Sequence, residues 1–238
     1  MPEPTAGDAA PATPPPPPPP TFAQAPPRRI NITGPAGSGK STLAARLAAA
    51  LSLPHLELDS VFHGPGWTPR AEFVADVEAF LRASPGGWVV DGNYRKCRGL
   101  VWARPYTSPA VADPDPDALP GADTIVVLDL PKRTVLASLF LRTMSRVVYR
   151  TPLWHGNTET WANVLSTDPK VSVMAYCYSE FEAHRRRLVE AEAAGQGAGV
   201  RWVRLRSRAE VEAFARAVEG AAGEGAAGKE GAGDGASA

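Results

Sequence analysis

The chain has 238 residues, and its 25 basic and 25 acidic side chains leave no formal net charge. That balance hides unlike regions. Residues 1–27 carry Glu3 and Asp8, no basic residue and 12 of the 25 prolines, including the run Pro14–Pro20. Residues 220–238 carry Glu224, Glu230 and Asp234 against Lys229, with 7 of the 22 glycines. Between them, residues 28–219 hold 24 basic and 20 acidic residues, a net of +4. Neither end has the apolar content to offset the entropy of ordering, so both are expected to be disordered tails. The middle, about 190 residues, is long enough for one domain with a sizeable core.

Several classes fall away. No apolar run reaches the roughly 18–20 residues of a membrane span, and the N-terminus has neither a secretory nor a transit pattern. Cys97 and Cys177 are too few for a disulfide framework and are not spaced as a metal knuckle. A reducing, cytoplasmic home is the expectation. A net of +4 is too weak to argue for nucleic acid.

The elements follow in chain order. Ile30–Thr33 reads as a strand after the proline tract, and Thr42–Leu51, rich in Ala and Leu, as a helix ended by Pro54. His55–Leu58 is a second strand running to Asp59. Thr68-Pro69 has the form of a helix start, with Phe73, Val74, Val77, Phe80 and Leu81 at helical spacing behind it. Trp88–Asp91 is a third strand, continuously apolar as a doubly covered parallel strand should be. Residues 103–121 are proline-rich without periodicity, a surface insertion. Thr124–Leu128 is a fourth strand, and Pro131 opens a long helix with an apolar stripe of Val135, Leu136, Leu139, Met144, Val147 and Val148. A polar, Trp-containing break follows at Thr151–Asn157. A further long helix is expected from Asp168-Pro169 to about Ala194, then a fifth strand over Val200–Leu205. Ser207-Arg208-Ala209-Glu210 is a capping box for a last helix. Alternating strands and helices imply an α/β domain of three layers, with about five mostly parallel strands covered by helices on both faces.

Gly34-Pro35-Ala36-Gly37-Ser38-Gly39-Lys40-Ser41, with Thr42 behind it, matches the Walker A pattern at every required position. Glycines let successive backbone N–H groups turn inward onto phosphate oxygens at the positive end of a helix. Lys40 then supplies a cation to the β- and γ-phosphates, and the Ser41 hydroxyl is a Mg²⁺ ligand. A chance match is expected in roughly one of a hundred chains of this length, and the flanking strand and helix are those the motif requires. The expected ligands are ATP and Mg²⁺.

In an open α/β sheet the ligand crevice lies at the carboxyl ends of the strands. Asp91 stands at such an end, placed to hold Mg²⁺ through water or simply to begin a turn with Gly92. Arg95 has the fork to grip a phosphate or carboxylate of an acceptor. Asp59 reads either as a group that orients or deprotonates an acceptor hydroxyl or as a turn carboxylate. Asp129 reads as a Walker B aspartate or as the first residue of a loop, and ranks behind Asp91. Arg142, Arg146 and Arg150 recur every four residues, which suits cations closing over a transferring phosphoryl group or a solvated basic face.

Asp91-Gly-x-x-Arg95 resembles the Asp-Gly-Phe-Pro-Arg segment of adenylate-kinase-like nucleoside monophosphate kinases. The chain is more similar still to a branch of P-loop kinases described as DNA topology modulation protein-like. The matching stretches are His55-Leu-Glu-Leu-Asp59-Ser-Val-Phe62, Gly66-Trp67, Trp88-Val-Val-Asp-Gly-Asn-Tyr94, Asp123-Thr-Ile-Val-Val-Leu-Asp129-Leu-Pro131 and Leu153-Trp154-His-Gly156-Asn157-x-Glu159. The resemblance spans residues 29–218 apart from the insertion. It implies a P-loop NTPase fold and an ATP-dependent phosphotransferase with a short helical lid at about residues 142–160. It further implies that Asp91 lies near the metal, that Arg95 faces the acceptor, and that the acceptor is a nucleotide or nucleoside. A kinase of a non-nucleotide metabolite, or an ATP-dependent regulator or ATPase linked to DNA topology, remains open on the residues alone.

The remaining features carry less. His55, His63, His155 and His184 have no common metal spacing and suit solvent or loop positions. Cys97 follows Arg95-Lys96, which suits either an activated thiol or a plain buried one. The tract Pro14–Pro20 suits a spacer or a contact for SH3- or WW-type domains. Oligomeric state is not encoded in any of these patterns.

Overall fold

The computed structural model describes residues 26–102, 119–195 and 199–230. Most of the expected tail 1–27, residues 103–118 of the expected insertion and residues 231–238 lie outside these. Five parallel strands, β1 (Arg29–Thr33), β2 (His55–Glu57), β3 (Trp88–Asp91), β4 (Thr124–Leu128) and β5 (Arg201–Leu205), form one sheet in the order β2-β3-β1-β4-β5. The helices are α1 (Lys40–Leu51), α2 (Leu58–Phe62), α3 (Phe73–Arg82), α4 (Arg98–Trp102), α5 (Lys132–Val148), α6 (Trp161–Leu165), α7 (Val173–Ala193) and α8 (Arg208–Glu230).

Alternation along the strands builds the three layers. Val89, Val126 and Leu128 point to one face, where Leu43, Leu47 and Leu51 of α1 and Phe214, Ala215 and Val218 of α8 cover them. Trp88, Val90, Ile125 and Val127 point to the other, under Phe73, Val77 and Leu81 of α3, Val101 and Trp102 of α4, and Leu188 and Ala191 of α7. The buried polar side chain at the middle of β1, Asn31, is satisfied: its amide donates to the Val90 carbonyl (3.0 Å) and its oxygen accepts from the Trp102 indole (2.7 Å). A third cluster, Leu130, Val135 and Leu139 with Cys177 and Phe181, joins α5 to α7 and packs against Ala36. It lies at the carboxyl ends of the strands, directly under the phosphate loop.

Several boundaries differ from the sequence expectation. Thr68-Pro69 does not open α3. The Thr68 hydroxyl donates back to the Pro65 carbonyl (2.9 Å), its carbonyl accepts from Gly64 N (2.7 Å), and Pro69 pairs with His63, so this segment closes a loop instead. Asp168-Pro169 likewise makes a turn, with Asp168 accepting from Lys170 N; Ser172 caps α7 through Ala175 N. Val148, expected in the apolar stripe of α5, is 61% exposed, whereas Thr143 is buried, because the inward row is Val135, Leu139, Thr143 and Val147. The expected disordered tail from Gly220 is also corrected: α8 runs on to Glu230, and Ala222 packs against the α1–α8 core. The capping box forms, with Glu210 N donating to the Ser207 hydroxyl (3.1 Å) while the Glu210 carboxylate accepts from Arg206 N (2.9 Å). Among the described residues no helix is long and apolar enough to cross a membrane.

Leu47 is fully buried between the sheet and α8. Leu47→Ala is expected to cost about 2–5 kcal/mol of stability, read as a lower urea midpoint with an unchanged slope.

Candidate active site

The loop from Gly34 to Gly39 turns back on itself where β1 feeds α1. Gly34, Gly37 and Gly39 have φ of 150°, 82° and 97°, and Ser38 N donates to the Pro35 carbonyl (3.2 Å). Space as well as φ demands glycine. A Cβ on Gly37 would lie 2.6 Å from the Leu139 Cβ, and one on Gly39 2.8 Å from the Arg208 guanidinium. No side chain caps the N-terminus of α1 and its first turn has no acid. Its leading N–H groups and dipole are therefore available to an anion. Arg208, from the start of α8, braces this loop by donating to the Ser38 carbonyl (2.9 Å) and to the Ser138 hydroxyl of α5 (3.1 Å). Sequence reading treated it only as part of a cap.

A parallel sheet ordered 2-3-1-4-5, with this loop leaving its central strand toward a helix, settles the architecture. The chain has the P-loop NTPase fold. No protein-family model and no curated protein matches it. Among solved structures it is similar to a gluconokinase from Sinorhizobium meliloti 1021, at 17% identity over 88% of this chain and 99% of that one, with a TM-score of 0.43. It is also similar to a deoxyadenosine kinase from M. mycoides, at 13% identity over 82% and 98%, TM-score 0.44. A shikimate kinase from Bacteroides thetaiotaomicron aligns at 14% identity over 82% and 97%, TM-score 0.40. These likenesses are distant, and the chemistry below is drawn from this chain's own residues.

Lys40 begins α1 and folds its Nζ onto the Pro35 carbonyl (3.0 Å). Burial holds its ammonium below the ordinary lysine value; Asp59 and Asp91 oppose that shift, and Arg142 adds to it. Ser41, next along, donates its hydroxyl to Glu57 Oε1 (2.9 Å). Glu57 is the site residue that sequence reading missed. It ends β2 in register with Asp91 at the end of β3, so two carboxylates stand side by side at the sheet's edge. Loss of solvent raises the Glu57 pKa, as do the neighbouring Asp91 and Asp59, while hydrogen bonds from Ser41 and Trp154 lower it. The signal was available: an acid closing the strand that precedes Asp59.

Asp91 is 2% exposed, and its Oδ2 has no hydrogen-bond partner, the nearest group being His55 Nε2 at 3.4 Å. An orphaned carboxylate oxygen beside a Ser–Glu pair is a donor set that fits Mg²⁺, which takes one or two carboxylates plus phosphate oxygens. Among the described residues no group of three His, Cys, Asp or Glu is arranged to hold a metal by itself. Asp59 is not at a strand end as expected, because the chain enters α2 at Leu58. Its Oδ1 accepts a 2.6 Å hydrogen bond from the Tyr94 hydroxyl.

The arginines divide. Loss of solvent and the adjacent Arg146 guanidinium hold Arg142 below the usual arginine value although its side chain still reaches water; Glu159, Asp59 and Glu57 act against the shift. Arg146 pairs with Glu159 (3.2 Å), tying the segment after α5 back onto that helix. Arg150 leaves the row: α5 ends at Val148, and Arg150 is left-handed with φ of 47°. Arg95 is exposed in a 3-10 turn, with Arg98 as its charged neighbour and no hydrogen bond or ion pair to the crevice carboxylates. Thr42 is exposed on α1. Asp129 is bound by Arg185 (2.8 Å) and Arg204 (3.3 Å) with its side chain 6% exposed, an ion-pair cluster at the carboxyl ends of β4 and β5.

His184 takes a place other than the solvent or loop position expected, and Cys97 takes the plain buried one of its two readings. His184 faces inward from α7, 2.8 Å from the Asn93 amide, and Asn93 also accepts from the Thr33 hydroxyl (3.0 Å). The end of β1, the loop after Asp91 and α7 thus meet at one amide. Cys97 is a buried thiol pushed up to about 11 by desolvation, the reverse of activation.

Burial, with Lys40, Arg187 and Arg98 nearby, pushes His184 down to about 4. The unfolded chain protonates it below about 6.5, so its contribution to stability is complete above that pH and lost as pH falls toward 4. His184→Gln is expected to flatten the fall in urea midpoint between pH 6.5 and 4; an unchanged slope would refute the assignment.

Proposed function

We propose that this protein is an ATP-dependent kinase of a small molecule, binding Mg·ATP on Gly34–Thr42 and phosphorylating an acceptor hydroxyl held beside β2 and β3. The observation that carries this reading is the Ser41–Glu57 hydrogen bond. It sets the Walker A hydroxyl against a carboxylate of the acceptor-side strand, within the field of Lys40, Asp59 and Asp91.

In this mechanism backbone N–H groups of the loop and Lys40 hold the β- and γ-phosphates. Ser41 and Asp91, with Glu57 beside them, would hold Mg²⁺, which when bound neutralises charge on those phosphates and orients them. Asp59 takes the proton of the acceptor hydroxyl as its oxygen bonds to the γ-phosphorus. The bond from that phosphorus to the β–γ bridging oxygen breaks, and ADP carries away the electron pair. Lys40 and Arg142 stand where charge spreads over the transferred group. Arg146 acts through Glu159 to keep the lid segment in place. Trp154, whose indole donates to Glu57 Oε2 (3.2 Å), joins that segment to the metal-side carboxylate and helps exclude water from the crevice. Arg95, exposed and away from these carboxylates, has no step in this mechanism.

Lys40→Ala is expected to abolish acceptor-dependent ADP release, and full retained turnover would sink the mechanism. Asp59→Asn is expected to lower kcat by about 10²–10⁴-fold with nucleotide affinity unchanged in a fluorescence titration. For Glu57→Gln, the Mg²⁺ concentration giving half-maximal rate should rise roughly 10–100-fold.

A further inference from the structure

The side of the crevice that would receive the acceptor is built from acids and aromatic rings. Asp59 and Asp91 both lie within electrostatic reach of Glu57 and of Lys40. Of the cations on the surrounding elements, Arg146 is paired with Glu159 (3.2 Å) and Arg70 with Asp76 (2.9 Å). Arg95 is exposed, and its charged neighbour Arg98 lies over the Trp102 ring (4.3 Å); among the described residues neither has an ion pair or hydrogen bond to the crevice carboxylates. Lys40 and Arg142 remain, and both belong to the donor phosphates in the proposed mechanism. Three carboxylates face two cations, so the crevice is net negative before Mg·ATP, itself a dianion, enters it.

Beside Asp59 stands an aromatic wall. The Tyr94 ring packs on Phe62 (4.3 Å between centroids) and Phe73 (5.1 Å) and presents its hydroxyl to Asp59. His63 stacks on Trp154 (6.0 Å, 14° between planes), and Trp67 meets Trp154 edge to face (6.3 Å). Asn157, 6% exposed, locks the two halves of the wall together: its oxygen accepts from Trp67 N (3.2 Å) and its amide donates to the Gly64 carbonyl (2.9 Å). The segment after α5 is thereby joined to the loop before α3 on the Asp59 side of the crevice.

Building on the kinase reading, we infer that the acceptor carries no negative charge: it is a neutral hydroxyl compound with a flat face, of the chemistry of a nucleoside, and not a nucleotide or a sugar acid. A flat ring lies against Trp67 and Trp154, as aromatic faces prefer, and its hydroxyl donates to Asp59. An acceptor phosphate or carboxylate beside Asp59 would meet carboxylates whose described cationic neighbours, Lys40 and Arg142, are taken by the donor phosphates, and such like-charge contacts discriminate strongly.

The test compares acceptor-stimulated ADP release for adenosine, cytidine, guanosine and thymidine with their 5′-monophosphates and with gluconate. The expected result is a kcat/KM for at least one nucleoside about 100-fold or more above its monophosphate and above gluconate. Preference for a monophosphate or gluconate would overturn the inference and leave the kinase reading standing. ADP release equal to the rate in water across the whole panel would count against the kinase reading instead. In that event a second measurement still judges the inference: with the protein saturated by Mg²⁺ and the non-hydrolysable β,γ-methylene analogue of ATP, added AMP or inorganic phosphate is expected to give no further rise in Tm. A further rise with either anion would overturn it.

Discussion

A β-carbon on Gly34 would stand 2.9 Å from the Leu128 carbonyl, and one on Gly37 2.6 Å from the Leu139 Cβ. The phosphate loop is therefore wedged between the end of β4 and α5, and its path has no freedom to vary. Because the loop cannot shift, Lys40 and Ser41 leave α1 at a set height over the sheet. Everything else in the site is positioned against them. Arg208 holds the loop from the α8 side, and the Leu130–Val135–Leu139–Cys177–Phe181 cluster supports it from below. The positive φ of Gly37 and Gly39 is the local cost of turning N–H groups inward. The cluster beneath is what makes that conformation stable.

From this fixed point the carboxylates fall into place through strand register. Glu57 pairs with Asp91, and Asp91 with Ile32, so the ends of three adjacent strands are level. Ser41 reaches Glu57, and Asp59, in the first turn of α2, reaches Tyr94. The loop after β3 is held by Gly92, whose N–H donates to the Ile32 carbonyl (3.0 Å) and whose missing side chain makes room for Leu58. Asn93 then joins it to Thr33 and His184. The same short loop thus follows Asp91 and positions Tyr94 against Asp59.

What was legible in the chain was whatever local pattern controls. Strands β1, β3 and β4 are short, rich in β-branched residues and bounded by breakers, so they stand where expected to within a residue. The Walker A spacing carried its own strand–loop–helix geometry. Local signals misled where a side chain had two uses. Thr68 and Asp168 both have the form of helix caps, yet each closes a turn because a loop partner competes for the same oxygen. Among the arginines, a spacing of four says nothing about where a helix stops, and α5 stops before Arg150. His184 lay in a run of basic residues and resembled its solvated neighbours. Its inward orientation shows only in its contact with Asn93, a residue far away in the chain.

By itself the sequence determined the alternation of strands and helices, the phosphate loop, and Lys40, Ser41, Asp59 and Asp91 as groups near it. These follow from periodicity and from glycine's special φ, which act within a few residues. Only the tertiary structure decided that Glu57 meets Ser41, that Asp129 is spent on Arg185 and Arg204, and that Trp154 meets both Trp67 and Glu57. Those outcomes depend on strand order and register, which bring residues far apart in the chain within hydrogen-bonding distance. Charge followed the same division. Composition returned a net of zero over 238 residues, but a pocket's charge depends on which ion pairs have already formed. Here the pairing of Arg146 and Arg70 elsewhere leaves the crevice acidic.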